Sequence, residues 1–505
     1  MKNKKHFYTL QILLLFSIPL KAQSQKHSFA YQNFNQAYEI LNSSIKQHGI
    51  LDPMIGIKLE IIGKYYDEGH PYHPDSLVSR NLTATLVYQM GNIEERGIEK
   101  RGDRETSYVN KFISNRYFYL DKGKQFYFEI SKDKSSNLKE YSKIIPQMIL
   151  NEAKLNAKSL NYLGQENHYN IISYVDANNE IWQIYIGTED HLLHKMTNLY
   201  FDDRMGDSYE IIEFDNYKLV NNLMLPGKFK KHRLNQIVRD WDVSYFQIND
   251  KLDWSLPDSI QIKHATKDYT YKLTSDSIFI NPITKNIYEI LLPQTNNRLL
   301  LALFDKYSVL IEGSYHSIHG DLVIKKIEEK FPKHPVKYFS YSHLHHQYIG
   351  FVRSIAANGG TVIAPESHYG LIEKMVNSKH SLNPDRQAEI NEKLKYELFD
   401  KEYTLKDKHN QLQIYNIGPI HTAQYSVFYF PEAKLLMVGD LLWVYENENI
   451  NHLSGRTLEL FKKLQKLNLD IDQMIISWPV DGYKIKNYVD YKEFQSKGEL
   501  SEKNK

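Results

Sequence analysis

Hydrophobic and polar positions follow three different periodicities along the chain. Over residues 27–75, apolar residues recur mainly at helical spacing, which predicts helices. Over residues 82–260, alternating apolar and polar positions predict β-strands, interrupted by one helix over residues 139–160. After residue 268, strand-length apolar runs alternate with helical segments of about 10–15 residues, which predicts layers of sheet and helix.

The change of pattern near residue 260 also predicts the domain organisation, since 505 residues are too many for one ordinary core. Residues 253–268, with proline and mixed charges, have the composition of a linker. We therefore expect a β-rich α+β domain over residues 27–258 and an α/β domain over residues 268–496. The long charged stretch over residues 378–410 predicts a lid or insertion.

The N-terminus has the pattern of a targeting segment. Three lysines among the first five residues precede an apolar run over residues 10–20, and Ala22 and Gln23 form a cleavage point. Residues 1–23 are therefore predicted to be a signal peptide, and the protein to be exported to the periplasm or secreted. A retained N-terminal anchor is the alternative. No later segment has the roughly 18 apolar residues of a transmembrane helix.

Composition limits the chemistry that the chain can carry out. A hydrophobic content of 42% and a charged content of 25% are typical of a globular protein. The net charge of +2 gives no indication of a nucleic-acid partner, and a small-molecule substrate is expected instead. The sequence has no cysteine, which excludes disulfides, thiol catalysis and thiolate ligands, so that a metal would need His, Asp or Glu.

One candidate metal-binding segment follows an apolar run that predicts a buried strand. His343 and His345 are two residues apart, so both imidazoles point to the same side of an extended loop. Two histidines with ordinary hydrogen bonds at a strand end are the alternative. Three later segments also place a candidate ligand at a turn or strand end, in chain order His421, Asp440 and Asp481.

This series of segments resembles the metallo-β-lactamase fold superfamily over residues 268–488. The family pattern is His-x-His-x-Asp-His, a glycine turn with histidine, Gly-Asp, and Pro-Gly-His-Gly. The resemblance implies an αββα sandwich in which His343, His345 and His421 hold the first metal. It also implies that Asp440 bridges to a second metal, and that Glu312 ends an early strand beside the site.

The match is incomplete at the second metal. Gln347 replaces the family's aspartate, Tyr348 replaces the adjacent histidine, and Asp481 replaces the last histidine. A neutral amide and a phenol are poor ligands beside a carboxylate and an imidazole. We therefore expect one zinc ion. Asp440, Asp481 or His346 could take the acid/base role that Gln347 cannot fill.

Two function classes follow. The first is an exported metal-dependent hydrolase, in which three imidazoles and an open position activate water. The second is a catalytically degenerate relative whose site serves binding or stability, since Asp440 could close the coordination as a fourth ligand.

The strands over residues 209–252 resemble the closing strands of half-barrel domains such as those of the outer-membrane lipoprotein carriers. That resemblance implies a curved sheet over a helix and a possible apolar ligand in the N-terminal domain. A β-rich accessory domain that binds nothing is the alternative.

Overall fold

A computed structural model describes residues 28–51, 56–114, 116–121, 127–130, 143–248, 252, 254–255, 262–264, 273–447, 449 and 451–503. The predicted signal peptide and most of the predicted linker lie outside these residues. Among the described helices, none has the length and apolar character needed to cross a membrane.

The described residues contain both helices and strands, which confirms the predicted mixed α/β character. The α-helices are α1 Phe29–His48, α2 Pro146–Leu155, α3 Ser317–Lys330, α4 His346–Ile349, α5 Val352–Ala357, α6 Tyr369–Asn377, α7 Arg386–Ile390, α8 Gly455–Leu467 and α9 Tyr491–Lys503. The strands of the first half are β1 Gly56–Asp67, β2 Val78–Gln89, β3 Asn92–Arg101, β4 Arg104–Ile113, β5 Arg116–Asp121, β6 Tyr127–Ile130, β7 Asn161–Glu166, β8 Tyr169–Val175, β9 Ile181–Gly187, β10 Leu193–Asp202, β11 Gly206–Val220, β12 Leu223–Arg233, β13 Gln236–Ile248 and β14 Ile262–His264. The strands of the second half are β15 Phe279–Pro282, β16 Ile287–Leu292, β17 Asn297–Leu303, β18 Ser308–Ile311, β19 Val336–Ser340, β20 Thr361–Pro365, β21 Lys395–Phe399, β22 Glu402–Lys406, β23 Gln411–Asn416, β24 Ser426–Phe430, β25 Leu435–Met437, β26 Gln473–Ile475 and β27 Tyr488–Asp490.

The chain divides into two compact units. The first contains the described residues up to 51, residues 143–198 and residues 212–227. In it, α1 packs on α2, and β7, β8 and β9 form antiparallel pairs. The Ser28 hydroxyl accepts a hydrogen bond from the backbone of Tyr31 and caps the start of α1.

The second unit contains the remaining described residues, including β1–β6 and β13. Strand β1 pairs antiparallel with both β2 and β13, and Leu59 and Ile61 are buried while the alternate Glu60 and Ile62 are exposed. The prediction of helix as far as residue 75 was therefore wrong beyond α1, because a two-residue burial period defines a strand. The connection between β1 and β2, residues 68–77, contacts the loop that carries His343 and His345.

Two further sheets of the second unit form the second half of the chain. One sheet has the order β15-β16-β17-β18-β19-β20-β21, and the other has the order β22-β23-β24-β25-β26-β27. Alternate residues of β17 face opposite ways: Leu300 and Ala302 pack against the second sheet, whereas Leu299 and Leu301 pack under helices.

Helices cover both outer faces of this pair of sheets. Helices α3, α5 and α6 bury their apolar side chains on the first sheet, and α8 and α9 bury theirs on the second. The described residues from 273 onward therefore form four layers, in the order helix, sheet, sheet and helix. Within residues 378–410, where a lid or insertion was expected, β21 and β22 are edge strands of the two sheets, so this part of the stretch is not a lid.

Candidate metal centre

The candidate ligands lie in loops that follow or join strands of the two packed sheets. His343 and His345 follow the end of β19, His421 lies between β23 and β24, and Asp440 follows β25. Both strand ends are buried, and His343, His345 and Asp440 are each at most 3% exposed. Loops at the ends of buried strands thus bring together residues that are almost a hundred positions apart.

The donor atoms of these four residues converge. The Nε2 atom of His343 lies 2.9 Å from Nδ1 of His345 and 3.3 Å from Nε2 of His421. His421 Nε2 lies 3.4 Å from Oδ1 of Asp440, and the four donor atoms lie within 4.8 Å of one another. Ligands at Zn–N distances of about 2.0–2.1 Å in a tetrahedron are roughly 3.3 Å apart, so these residues fit a zinc ion.

The ring of His343 is held from two sides. Its Nδ1 lies 2.9 Å from the Ser342 hydroxyl, and the ring of Tyr425 stacks on it at 4.7 Å. The backbone N–H of Ser342 donates to the buried Glu312 carboxyl at 3.1 Å. Partners of this kind fix the orientation of metal-binding imidazoles. Glu312, expected beside the site from the resemblance, thus acts on His343 through Ser342.

Asp440 is positioned by a sharp turn and by a phenol. Gly439 has φ 57°, and a Cβ at this position would collide with the Tyr425 hydroxyl. The same hydroxyl accepts from the Asp440 backbone at 2.9 Å and lies 3.0 Å from its Oδ1. Glycine is therefore required at position 439, and the Tyr425 hydroxyl orients the carboxylate that follows it.

The second oxygen of the Asp440 carboxylate carries a different contact. Oδ2 accepts a hydrogen bond from the Arg456 guanidinium at 3.1 Å, whereas Oδ1 faces His421. Arg456 is at the start of α8, with a third of its side chain exposed. The carboxylate thus connects the imidazole cluster to a fixed positive charge.

Burial keeps the three imidazoles neutral. It lowers the pKa of His343 and His345 well below the ordinary value, and neighbouring imidazoles lower both further. Burial also lowers the pKa of His421, against the attraction of Asp440. Neutral imidazoles are the form that binds metal, so the cluster is ready to do so at neutral pH.

The Asp440 carboxyl is ionised in the same surroundings. Burial alone would raise its pKa, but its interactions with His421, with the Arg456 guanidinium and with the Tyr425 hydroxyl together outweigh burial and lower it. His345 Nε2 and His421 Nδ1 are buried and have no hydrogen-bond partner among the described residues. These two are the ring nitrogens that do not converge; the neutral nitrogens that do converge, together with the ionised carboxylate, are donors suited to a cation.

The residues expected near a second metal do not join this cluster in the described part of the chain. Asp481 is exposed, and its carboxylate accepts from the Gly482 backbone at 2.6 Å, which caps the turn. His346 Nδ1 lies 2.8 Å from the Gly69 carbonyl oxygen. Gln347 and Tyr348 are buried, and the Tyr348 ring lies 4.4 Å from His343.

Two residues near the cluster were missed by sequence reasoning. Arg456 follows Asp440 by sixteen residues on an amphipathic helix, and no pattern distinguishes it from other surface cations. His70 lies in the connection between β1 and β2, with its ring 4.8 Å from that of His345. A glycine, two prolines and two histidines between residues 69 and 74 were the available signal for the latter.

A cavity of about 390 Å³ in the second unit has none of the four clustered residues in its lining. Its lining includes charged side chains, among them Glu68, Arg204, Asp207 and Arg233. The apolar ligand expected in the N-terminal region finds no support in the described residues.

Solved metallo-β-lactamases are similar to this chain. One from Pontibacter korlensis is 17% identical, with a TM-score of 0.33, over 44% of this chain and 98% of its own length. FIM-1 from Pseudomonas aeruginosa, in its mono-zinc form, is 16% identical, with a TM-score of 0.34, over 47% and 99%. One from Hirschia baltica is 13% identical, with a TM-score of 0.32, over 44% and 97%. The chain matches no protein-family model and no curated protein.

The chain's four layers and its three-histidine cluster are the features that the resemblance of residues 268–488 to the metallo-β-lactamase fold superfamily implied, and that resemblance is confirmed. The half-barrel resemblance of the N-terminal region stays a prediction.

Proposed function

We propose that this protein is a metal-dependent hydrolase with one zinc ion held by His343, His345 and His421. The observation that carries the proposal is the convergence of three neutral imidazole nitrogens, at spacings that fit a tetrahedral ion. A zinc ion in a three-imidazole site lowers the pKa of a bound water to about 7 and so supplies hydroxide at neutral pH.

The chain's own residues support a single ion rather than two. Around Asp440, one carboxylate oxygen faces the imidazoles and the other is bound by Arg456. The guanidinium supplies the positive charge that a second cation would otherwise bring to that oxygen. The neutral side chains of Gln347 and Tyr348 add no second anionic or imidazole ligand.

Asp440 has three candidate roles in this proposal. Its Oδ1 can ligate the ion, accept a proton, or orient His421. Asp481 and His346 are weaker candidates for acid/base chemistry, because the first caps an exposed turn and the second contacts a backbone carbonyl. Asp440 is therefore the residue on which the catalytic assignment depends.

A non-catalytic metal site is the second candidate function, and one distance favours it. Asp440 Oδ1 lies 3.4 Å from His421 Nε2, which is a ligand-to-ligand spacing. If Asp440 completes four protein ligands, no position is left open for water, as in structural zinc sites. The ion would then stabilise the four-layer fold.

The first experiment is elemental analysis of the full chain purified without chelators, with wild type and His343→Ala compared. We expect about one zinc per wild-type chain and none in the variant. His334→Ala is the matched control, because the His334 Nδ1 atom contacts the Phe304 carbonyl oxygen outside the cluster. Two ions in wild type would contradict the single-ion proposal, and no ion would contradict metal dependence.

Activity separates the two candidate functions. Zinc-loaded wild type should hydrolyse one or more of a panel of esters, lactones and phosphodiesters, and His343→Ala should not. Zinc-loaded protein that turns over none of these, and that is much more stable than its metal-free form, would favour the structural role.

We also propose that the protein is exported and has separate domains over residues 27–258 and 268–496. The lysine-rich, then apolar N-terminal pattern supports export, and the change in hydrophobic periodicity near residue 260 supports the boundary. N-terminal sequencing of the mature protein tests the first proposal, since cleavage after residue 22 or 23 is expected.

A further inference from the structure

The connection between β1 and β2, residues 68–77, forms a wall beside the cluster of three histidines and Asp440. Its Gly69 carbonyl oxygen lies 2.8 Å from Nδ1 of His346, the residue after the ligand His345. Its Tyr72 carbonyl accepts a hydrogen bond of 2.8 Å from the backbone of Ala423, two residues after the ligand His421. The connection is therefore attached to both loops that carry imidazole ligands.

His70 is the side chain of this wall that reaches the imidazoles. Its ring meets that of His345 edge to face at 4.8 Å, and that of His346 at 5.6 Å. The His70 side chain is 47% exposed, whereas His345 is buried. His70 thus lies between the buried cluster and solvent, so a ligand that approached the cluster from this side would meet its ring.

The orientation of the His70 ring is set by a buried carboxylate. Asp67 Oδ1 lies 3.2 Å from Nδ1 of His70, and Asp67 Oδ2 accepts a hydrogen bond of 2.7 Å from Arg80. An ionised carboxylate has no proton to donate, so Nδ1 of His70 is the donor in this pair. In the neutral ring, Nε2 then keeps a free lone pair and is a hydrogen-bond acceptor.

We propose that His70 is a substrate-contacting residue of the metal centre, with Asp67 as its positioning residue. Nε2 of His70 accepts a hydrogen bond from an N–H or O–H group of the ligand bound over His343 and His345. The inference rests on the proposed function and deepens it, because it predicts ligands that have a donor beside the group that is attacked. Gln347, which stands at the position of the family's acid/base aspartate, is buried and cannot exchange a proton.

The test compares two histidines that are matched in exposure and in carboxylate contact. His409 is 49% exposed and its Nε2 lies 3.2 Å from Asp305, but it lies in the turn between β22 and β23. Zinc-loaded wild type, His70→Ala and His409→Ala are titrated with acetohydroxamate, a zinc-chelating probe that carries an N–H donor. We expect the Kd of His70→Ala to rise about tenfold and that of His409→Ala to stay within twofold.

Two further variants identify the role of the Nε2 atom. His70→Gln can place an amide oxygen near the position of Nε2, and we expect it to recover part of the lost affinity. Asp67→Asn should weaken binding less than His70→Ala, because the ring remains but its tautomer is no longer fixed. With a hydrolysed substrate, His70→Ala should lower kcat/KM by about 10-fold to 100-fold at unchanged zinc content.

Each outcome separates this inference from the hydrolase proposal. Equal Kd and kcat/KM in wild type and His70→Ala would overturn the role of His70 and leave the hydrolase intact. Loss of zinc in His70→Ala would also overturn it, because His70 would then be a metal ligand. Probe binding that depends on His70 without any turnover would support the contact and count against hydrolysis. Zinc-loaded wild type that neither binds the probe nor turns over a substrate would overturn both.

Discussion

The two halves of the candidate site differ in what their residues can bind. In the first half, His343, His345 and His421 direct neutral nitrogens at one point. In the second half, Gln347 and Tyr348 stand where the family has an aspartate and a histidine, and both are buried without a partner for a polar side-chain atom in the described part of the chain.

Asp440 belongs to both halves and shows how they differ. Its Oδ1 is within ligand spacing of His421, and its Oδ2 binds Arg456. A buried carboxylate is stable only when its charge is paired and its oxygens accept hydrogen bonds or bind a cation. In the proposed single-ion site, the guanidinium therefore occupies the side of the carboxylate where a second metal ion would bind, and the three imidazoles remain available to one ion.

The largest effect on zinc affinity is expected from removing an imidazole of the first half of the site. His345→Ala and His421→Ala each remove one of three imidazoles, so the zinc affinity should fall by more than the roughly 10-fold to 100-fold typical of residues that only support a ligand. Tyr348→Phe should keep zinc, because it removes a hydroxyl and preserves the ring that packs on His343. Zinc affinities are measured by competition with a chelator. Retention of zinc in His421→Ala together with loss in Tyr348→Phe would show that the ligand assignment is wrong.

A smaller effect is expected from rebuilding the second half. The triple variant Gln347→Asp, Tyr348→His, Arg456→Ala supplies a carboxylate and an imidazole and removes the competing cation. We expect zinc stoichiometry to rise from about one to about two per chain, measured by elemental analysis and calorimetry. The double variant that keeps Arg456 should bind its second ion about 10-fold to 100-fold more weakly.

The double variant provides the control for this comparison. If it binds the second ion as tightly as the triple variant does, the lost donors alone explain the single ion. If neither variant binds a second ion, the geometry of the second half has changed beyond its side chains, and Arg456 is not a substitute for metal.

Sequence reasoning predicted the four clustered residues better than their surroundings. His343, His345, His421 and Asp440 could be found because each follows an apolar run or a glycine turn in a fixed order. The structure brings these four together, as the order implied. The alternation of strands and helices after residue 268 was predicted for the same reason, since periodicity reports burial directly.

The rest depended on contacts between distant segments. His70 reaches the site only because β1 and β2 pair in a register that turns at residues 68–77. Arg456 matters only because α8 packs beside the strand end that carries Asp440. Strand β1 was mistaken for helix because its apolar residues at 61, 62, 65 and 66 also fit a helical repeat, and pairing with β2 and β13 decided between the two.

The smallest expected effect concerns Glu312, which supports the first half without touching an ion. Burial raises its pKa to about 8, against the hydrogen bonds from Ser342 that lower it. Between the ordinary value near 4.5 and about 8, the unfolded chain releases this proton and the folded chain keeps it. The stability of the metal-free protein should therefore fall as pH rises from 5 to 8 because of this residue.

Glu312→Gln tests this sign, because the amide stays neutral at every pH. In denaturant unfolding of the metal-free chain, the variant should gain on wild type as pH rises from 5 to 8, and the gain should level off above 8. Glu289→Gln is the control: burial raises the pKa of Glu289, but hydrogen bonds from Tyr488, Asn281 and Arg298 lower it overall, so above pH 4.5 its variant should be less stable than wild type by an amount that does not change with pH. An unchanged difference between wild type and Glu312→Gln across this range would mean that Glu312 is ionised in the folded chain. The Ser342 backbone would then hold a charge rather than a neutral acid beside His343.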